Sequence, residues 1–223
     1  MGLTNGDVEK LETIIKHARP LRRGEHVFHA GERFQSLYVI KTGCVKTYDA
    51  QGKHQVLGFH LPGDLVGLDA IDKTCHLCSA QVLESSAICE LPFQRFEEIA
   101  SHLPSLQHQM YRLLSKEISQ ETEILLLRGK TNAEERLAAF LLHLSQRLSK
   151  RGLSATDFYL NMSRNDISSY LGMAVETVSR LFRRFNDQGL LRVSHKHVEI
   201  LDFAALERVS GMVPISAQRQ RMP

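Results

Sequence analysis

Two kinds of hydrophobic spacing alternate along the chain. Between Asp7 and His17, the residues Val8, Leu11, Ile14 and Ile15 recur at helical spacing, and Pro20 closes that segment. From Leu21 to about Phe93 the apolar positions instead form short runs at 26–28, 37–40, 44–48, 56–59, 65–66, 80–83 and 87–91. Glycines at 24, 31, 43, 52, 63 and 67 lie between or beside them. Short strands at close, even spacing with turn residues between them predict a β-sandwich or barrel. Asp49-Ala50-Gln51-Gly52-Lys53 reads as a hairpin loop in which the glycine supplies a positive φ.

The helical period returns from Pro92 to Arg128. Pro104 suits the first turn of a helix, and beyond it Tyr111, Leu114, Ile118, Glu121 and Leu125 are spaced 3, 4, 3 and 4. That is an a/d heptad seam, and it predicts self-association along this helix. The plainer alternative is an amphipathic helix packed on its own β-domain. Glu121 is the polar member of the seam. In a parallel pair it faces its copy, where two carboxylates resist joint ionisation and keep the monomer–dimer balance adjustable. A further helix is predicted over Asn132 to Leu148. Its apolar stripe is Ala133, Leu137, Phe140, Leu141 and Leu144, with Asn132 as N-cap and Glu135 in the capping-box position. Residues 149–156 read as a polar loop.

The segment from Met162 to Leu191 carries the most chemistry. Ser163 can cap a short helix from Arg164 to Tyr170 or Leu171, which Gly172 ends. A second helix runs from about Val175 to Asn186 with Val178, Leu181, Phe182 and Phe185 inward. Helix, tight glycine turn, helix is the DNA-binding helix-turn-helix arrangement, whose second helix enters the major groove and reads bases near its N-terminus. Glu176, Thr177, Ser179 and Arg180 occupy that outward face. An arginine grips guanine O6/N7 in bidentate fashion, and a glutamate accepts from cytosine N4. Arg183, Arg184 and the hydroxyls of Thr177 and Ser163 suit phosphates, and Arg164 is counted with this set. Gly189 closes the second helix, and 191–193 and 197–201 form two strands of a wing around Ser194-His195-Lys196. The alternative is a helical hairpin with a solvated basic face.

Charge supports the DNA reading once it is divided. From Gly129 to Pro223 there are 14 Lys and Arg against 9 Asp and Glu, a net of +5, while the other 128 residues carry 14 against 16, a net of −2. With 43% apolar and 24% charged residues the chain is globular rather than disordered. The absence of a membrane-length apolar run or a signal peptide, together with only four cysteines, points to the reducing cytoplasm. No H-E-x-x-H, P-loop, G-x-G-x-x-G or triad context occurs among the 11 histidines and the rest, so no enzyme activity is expected.

The motifs GFHLPGDLVGLDAI (58–71), AQVLESSAICELPF (80–93), NAEERLAAFLLHLSQR (132–147) and NDISSYLGMAVETVSR (165–180) resemble the bacterial regulators of the CRP–FNR superfamily, most closely its oxygen-responsive Fnr branch. The resemblance runs from Leu3 to about Leu206. It implies an α+β chain in three parts: an N-terminal, jelly-roll-like β-roll sensor domain over 1–103, a dimerisation helix over 104–128, and a C-terminal winged helix-turn-helix over 129–223. It further implies a homodimer on double-stranded DNA with palindromic TTGAT-like half-sites, base contacts from Glu176, Ser179 and Arg180, control of anaerobic or redox-responsive genes, and contacts to RNA polymerase. The Gln51-Gly52-Lys53 loop is the candidate polymerase contact, although Lys53 stands where the family often has an acidic residue.

The signal is less legible. Cyclic-nucleotide binders of the superfamily use a Gly-Glu pair and an Arg-Ser-Ala run. Here the corresponding residues are Gly67-Leu68 and Cys78-Ser79-Ala80, so the charge-assisted phosphate partner is missing and cyclic nucleotide binding is not expected. Fnr-type sensors hold a [4Fe–4S] cluster on three cysteines before the first helix and one in the β-roll. Cys89 matches the β-roll ligand. The three upstream cysteines are missing from this sequence, so no cofactor is expected in the chain as given, and a cluster only in a longer natural form. Cys75-His76-Leu77-Cys78 is a lone C-x2-C pair, read as surface-loop cysteines without a ligand role; a metal site with Cys44 or Cys89, or a thiol switch, is the alternative. Cys44 reads as a small core residue. A regulator of the same fold sensing haem or another small ligand is the second functional reading.

Overall fold

Each apolar run between Leu21 and Phe93 becomes a strand in the computed structural model, which describes residues 11–17, 20–50, 54–129 and 132–211. The chain divides into two compact units, 1–121 and 122–223. The first holds β1 (Lys16–His17), β2 (His26–Phe28), β3 (Ser36–Thr42), β4 (Val45–Tyr48), β5 (Val56–His60), β6 (Leu65–Val66), β7 (Ser79–Val82) and β8 (Ala87–Pro92). They form two four-stranded antiparallel sheets, ordered β1-β8-β3-β6 and β2-β7-β4-β5. Phe28, Val45, Ala80 and Val82 from one sheet and Ile40, Val66 and Ile88 from the other share a buried core, joined by Cys78. This is the β-roll expected from the sequence.

The turn between β3 and β4 shows why glycine is needed at position 43. Its φ is +91°, and a Cβ there would come within 2.1 Å of the Ser86 hydroxyl oxygen. Both the left-handed backbone and the close approach exclude a side chain. Across the β4–β5 hairpin, the Asp49 N–H donates to the Gln55 carbonyl at 2.9 Å. Gln51, Gly52 and Lys53, the candidate polymerase contact, lie outside the described residues.

The N-terminal helical segment ends before His17, where its spacing suggests it would stop. Lys16 and His17 pair with Glu90 and Cys89 of β8 as an edge strand. The register on β8 therefore overrides the helical period for the last two residues of that segment. Leu11, Ile14 and Ile15 pack on a second core cluster built from Leu37, Leu65, Leu91, Phe96, Ala100 and Leu106. Val8 lies outside the described residues.

Two helices follow: α1 (Phe93–Ala100) and the long α2 (Pro104–Gly129), which starts at the expected proline and continues across the boundary between the units. Within the first unit, α2 is tied to the β-roll by charge. The buried Asp64 carboxylate accepts from the Leu61 N–H and from the Lys116 ammonium, both at 2.9 Å. A buried carboxylate needs such partners to remain charged.

The second unit contains α3 (Ala133–Ser149), β9 (Asp157–Tyr159), α4 (Arg164–Leu171), α5 (Val175–Asp187), β10 (Leu191–Ser194), β11 (His197–Ile200) and α6 (Phe203–Ser210). Asn132 caps α3 as expected, but it accepts from the N–H of Glu134 rather than that of Glu135. Leu137, Phe140, Leu141 and Leu144 are buried along α3. Strand β9 and helix α6 were not read from the sequence. Three residues with one buried position (Phe158) give no detectable alternation, and α6 announces itself only by its Asp202 N-cap.

Candidate nucleic-acid interface

The helix-turn-helix is assembled from local signals. Ser163 and Asp166 form a reciprocal capping box: the Asp166 N–H donates to the Ser163 hydroxyl at 3.1 Å, and the Ser163 N–H to the Asp166 carboxylate at 2.9 Å. Asp166 thus joins Ser163, the cap expected from the sequence, as its reciprocal partner. The Ser163 hydroxyl also donates to Asp166 at 2.6 Å, so it already serves the cap. Gly172 ends α4 with φ 63°, the left-handed conformation that glycine adopts without steric cost.

Helix α5 then presents two distinct faces. Val178, Leu181, Phe182 and Phe185 are buried, whereas Glu176, Ser179, Arg180, Arg183 and Arg184 are exposed and Thr177 is half-buried. Positions 176, 179, 180 and 183 follow i, i+3, i+4 and i+7 spacing, so they form one stripe. The stripe starts at the N-terminal end of the helix, where a major-groove reader places its base contacts.

The other two nominated arginines have protein partners. The Arg164 guanidinium lies 3.3 Å above the ring centroid of Phe182. Desolvation there brings its pKa down to about 10, and the cation stitches α4 to α5. Arg184 is paired with the Glu134 carboxylate in the first turn of α3.

The wing is a three-stranded antiparallel sheet in the order β10-β11-β9. Leu191 to Ser194 pair with Ile200 to His197, leaving His195-Lys196 as a two-residue loop with φ 54° at His195. Positive φ at the first loop residue matches the twist of the hairpin. Asn186, at the end of α5, accepts from the Val193 N–H at 3.1 Å and so ties the recognition helix to the wing.

The long helix exposes apolar surface. Tyr111, Ile118, Leu125 and Leu126 are each 63–69% exposed, Leu114 is half-buried and Glu121 is exposed.

Two family models match. A Crp-like helix-turn-helix domain covers residues 135–209, and a cyclic nucleotide-binding domain covers residues 18–102. The chain is 45% identical, over 95% of its length, to the transcriptional activator protein anr of Pseudomonas aeruginosa, 87% of which is covered. The chain belongs to the Crp–Fnr family. It is likewise 44% identical, over 94% of its length, to the fumarate and nitrate reduction regulatory protein of Escherichia coli, of which 84% is covered. Among solved structures, FixK2 from Bradyrhizobium japonicum superposes with a TM-score of 0.80 at 27% identity, covering 89% of this chain and 100% of that one. As a Crp–Fnr protein the chain is a helix-turn-helix transcription regulator, and its β-roll, long helix and DNA-binding unit match the architecture of that family.

The four cysteines lie apart in the β-roll rather than gathered into one ligand set. A [4Fe–4S] cluster takes four thiolates. Among the described residues no three His, Cys, Asp or Glu side chains gather as a metal site. Cys44 is fully buried. Cys89 sits on β8 in register with Val39 and His17. Cys78, read from the sequence as a loop residue beside Cys75, is instead buried, and only Cys75 is exposed. The reason is Asp69, whose carboxylate gathers the segment around itself. It accepts from the Leu77 N–H at 2.7 Å, the Cys78 N–H at 3.3 Å and the Cys78 thiol at 3.6 Å, and lies 3.4 Å from His76 Nδ1. Burial, and then the Asp69 charge, push the Cys78 thiol up to about 12. Burial alone would raise the Asp69 carboxyl. The His76 hydrogen bond and the two N–H groups outweigh it and hold Asp69 below the usual carboxylate range. His76 is in turn stacked on Phe28 at 3.7 Å.

Proposed function

We propose that two copies of this chain pair along the apolar face of α2 and bind a two-fold symmetric DNA site with TTGAT-like half-sites, one recognition helix in each of two neighbouring major grooves. The observation that carries this reading is the exposed row Tyr111, Ile118, Leu125 and Leu126 on a helix that leads into the helix-turn-helix unit. Burying each such side chain contributes about 1.5–3 kcal/mol, enough for a few of them to drive pairing. Paired helices fix the recognition helices about 34 Å apart, one DNA turn, so that two modest half-site affinities act together. Glu176, Ser179 and Arg180 read bases. Thr177, Arg183 and Arg184 hold phosphates, Arg184 on release from Glu134. Ser163 and Arg164 support the arrangement from within the protein.

The regulated genes are anaerobic or redox-responsive, as the names of the anr and fumarate and nitrate reduction relatives suggest, and RNA polymerase is the further partner. The protein acts in the cytoplasm as a regulator and not as an enzyme. No helix among the described residues is long and apolar enough to cross a membrane. Cyclic nucleotide is not its effector, because Leu68 and Cys78 stand where charged groups would grip ribose and phosphate.

Sedimentation equilibrium of the wild type and of Ile118→Lys tests the pairing. The wild type is expected to dimerise and the variant to sediment as a monomer with weakened binding to a symmetric duplex. A wild type that stays monomeric on that duplex overturns the reading. Glu121→Ala is expected to tighten the dimer, since an apolar seam position replaces a carboxylate.

A further inference from the structure

The last turn of α4 leaves four carbonyls without helical partners. Two are satisfied by the chain reversal at Gly172: the Ser168 carbonyl accepts from the Met173 N–H at 2.9 Å and the Ser169 carbonyl from the Gly172 N–H at 3.3 Å. The other two are met by arginines from outside the motif. Arg128 Nε donates to the Tyr170 carbonyl at 2.8 Å, and Arg136 Nη1 to the Leu171 carbonyl at 3.5 Å. Two cations at a helix C-terminus also offset the negative end of its dipole.

Arg128 has a second hold on the same residue. Its guanidinium carbon lies 5.9 Å from the Tyr170 ring centroid. That ring is buried and meets Phe140 of α3 edge-on at 5.7 Å. Arg128 belongs to the last turn of α2. One side chain at the end of the long helix therefore grips both the backbone and the ring of the residue two places before the helix-turn-helix turn. The other contacts that hold α4 against α5 are local. The capping box, the bonds at Gly172 and the buried Ile167, Leu171 and Val178 belong to the motif itself.

We propose that Arg128 is a positioning residue for DNA recognition. It docks the end of α2 on the turn of the helix-turn-helix, and so transmits the pairing of two long helices into a defined spacing and angle of the two recognition helices. The proposal rests on the two-fold reading above. Arg128 itself touches no base.

The test uses full-length protein with wild-type Arg128, Arg128→Gln and Arg128→Lys. The DNAs are a symmetric duplex, the same duplex with one base pair added to or removed from the spacer, and a single half-site. Arg128→Gln is expected to keep half-site affinity within about twofold, to bind the symmetric site about tenfold more weakly, and to discriminate poorly between spacers. Arg128→Lys, which retains the charge, is expected to recover part of the spacer discrimination. Spacer discrimination as sharp as wild type in Arg128→Gln overturns the proposal. So does an equal proportional loss on half-site and symmetric DNA, which marks a folding or phosphate role instead. A wild type that binds half-site and symmetric DNA equally overturns the two-fold reading itself, and the proposal with it.

Discussion

The carboxylate of Glu134, in the first turn of α3, is paired with the guanidinium of Arg184 on the recognition helix. The Arg184 side chain is 55% exposed and its partner 25%, so the pair adds little stability. Under the phosphate role proposed for Arg184, the Glu134 carboxylate competes with DNA for the same guanidinium. Glu134→Gln is expected to raise affinity for specific and scrambled duplex alike by a few-fold, with an unchanged melting temperature. Arg184→Ala is expected to weaken both uniformly and to reduce the slope of log K against log salt by about 0.9. Binding titrations at several salt concentrations check this, and equal slopes for Arg184→Ala and wild type would remove Arg184 from the phosphate contacts.

Arg180 and Arg183 lie one turn apart on α5 and are both exposed, yet their expected losses differ in kind. Arg180→Ala should cost on the order of 1–3 kcal/mol at a single base position and relax the preference there. Arg183→Ala should weaken binding on all sequences without changing the preferred one. Selection of bound duplexes from a randomised half-site separates the two, and a uniform loss for Arg180→Ala would assign it to the backbone.

Gly172 has open space around it but a φ of +63°. Strain, not crowding, therefore sets the cost of a side chain there. Gly172→Ala is expected to destabilise the protein by about 1–2 kcal/mol, and Gly172→Asn by less, because asparagine tolerates the left-handed region. Denaturant titration measures both, and an alanine variant as stable as wild type would contradict the assignment.

Cys75 and Cys78 differ in exposure although only two residues separate them. Cys75 is exposed, whereas Cys78 is buried with its thiol pushed up to about 12. Since the thiolate is the nucleophile, alkylation near pH 8 is expected to label Cys75 quickly and Cys78 slowly. Asp69→Ala should speed labelling of Cys78 by loosening the loop. The depressed Asp69 carboxyl also stabilises the fold at pH values above its unfolded pKa, and that contribution fades as pH falls through the lower, folded value. Equal labelling of both thiols in the native protein would count against this geometry.

Much of this architecture was legible because its signals are local. The runs from His26 to Leu91 marked all the longer β-roll strands, and Pro104, Asn132, Ser163 and Gly172 each marked a helix end by its own backbone chemistry. The outward positions of Glu176, Ser179 and Arg180 followed from the 3.6-residue period alone, whereas Thr177, expected on the same face, is half-buried. What the sequence hid was set by distant partners. Lys16 and His17 became a strand because β8 offered an edge, and Cys78 left the surface because Asp69, nine residues earlier, gathers the segment. Arg164, Arg184 and Arg128 carry the same charge in the sequence. Only the fold shows one over a phenyl ring, one against a carboxylate and one at a helix carbonyl.

The most direct test is a competition titration at about 0.15 M salt between a symmetric TTGAT-type duplex and a scrambled duplex of the same composition, with the dimer population measured in the same samples. The account predicts that the paired protein binds the symmetric duplex at least about a thousandfold more tightly. A paired protein that binds both duplexes with equal affinity would contradict it.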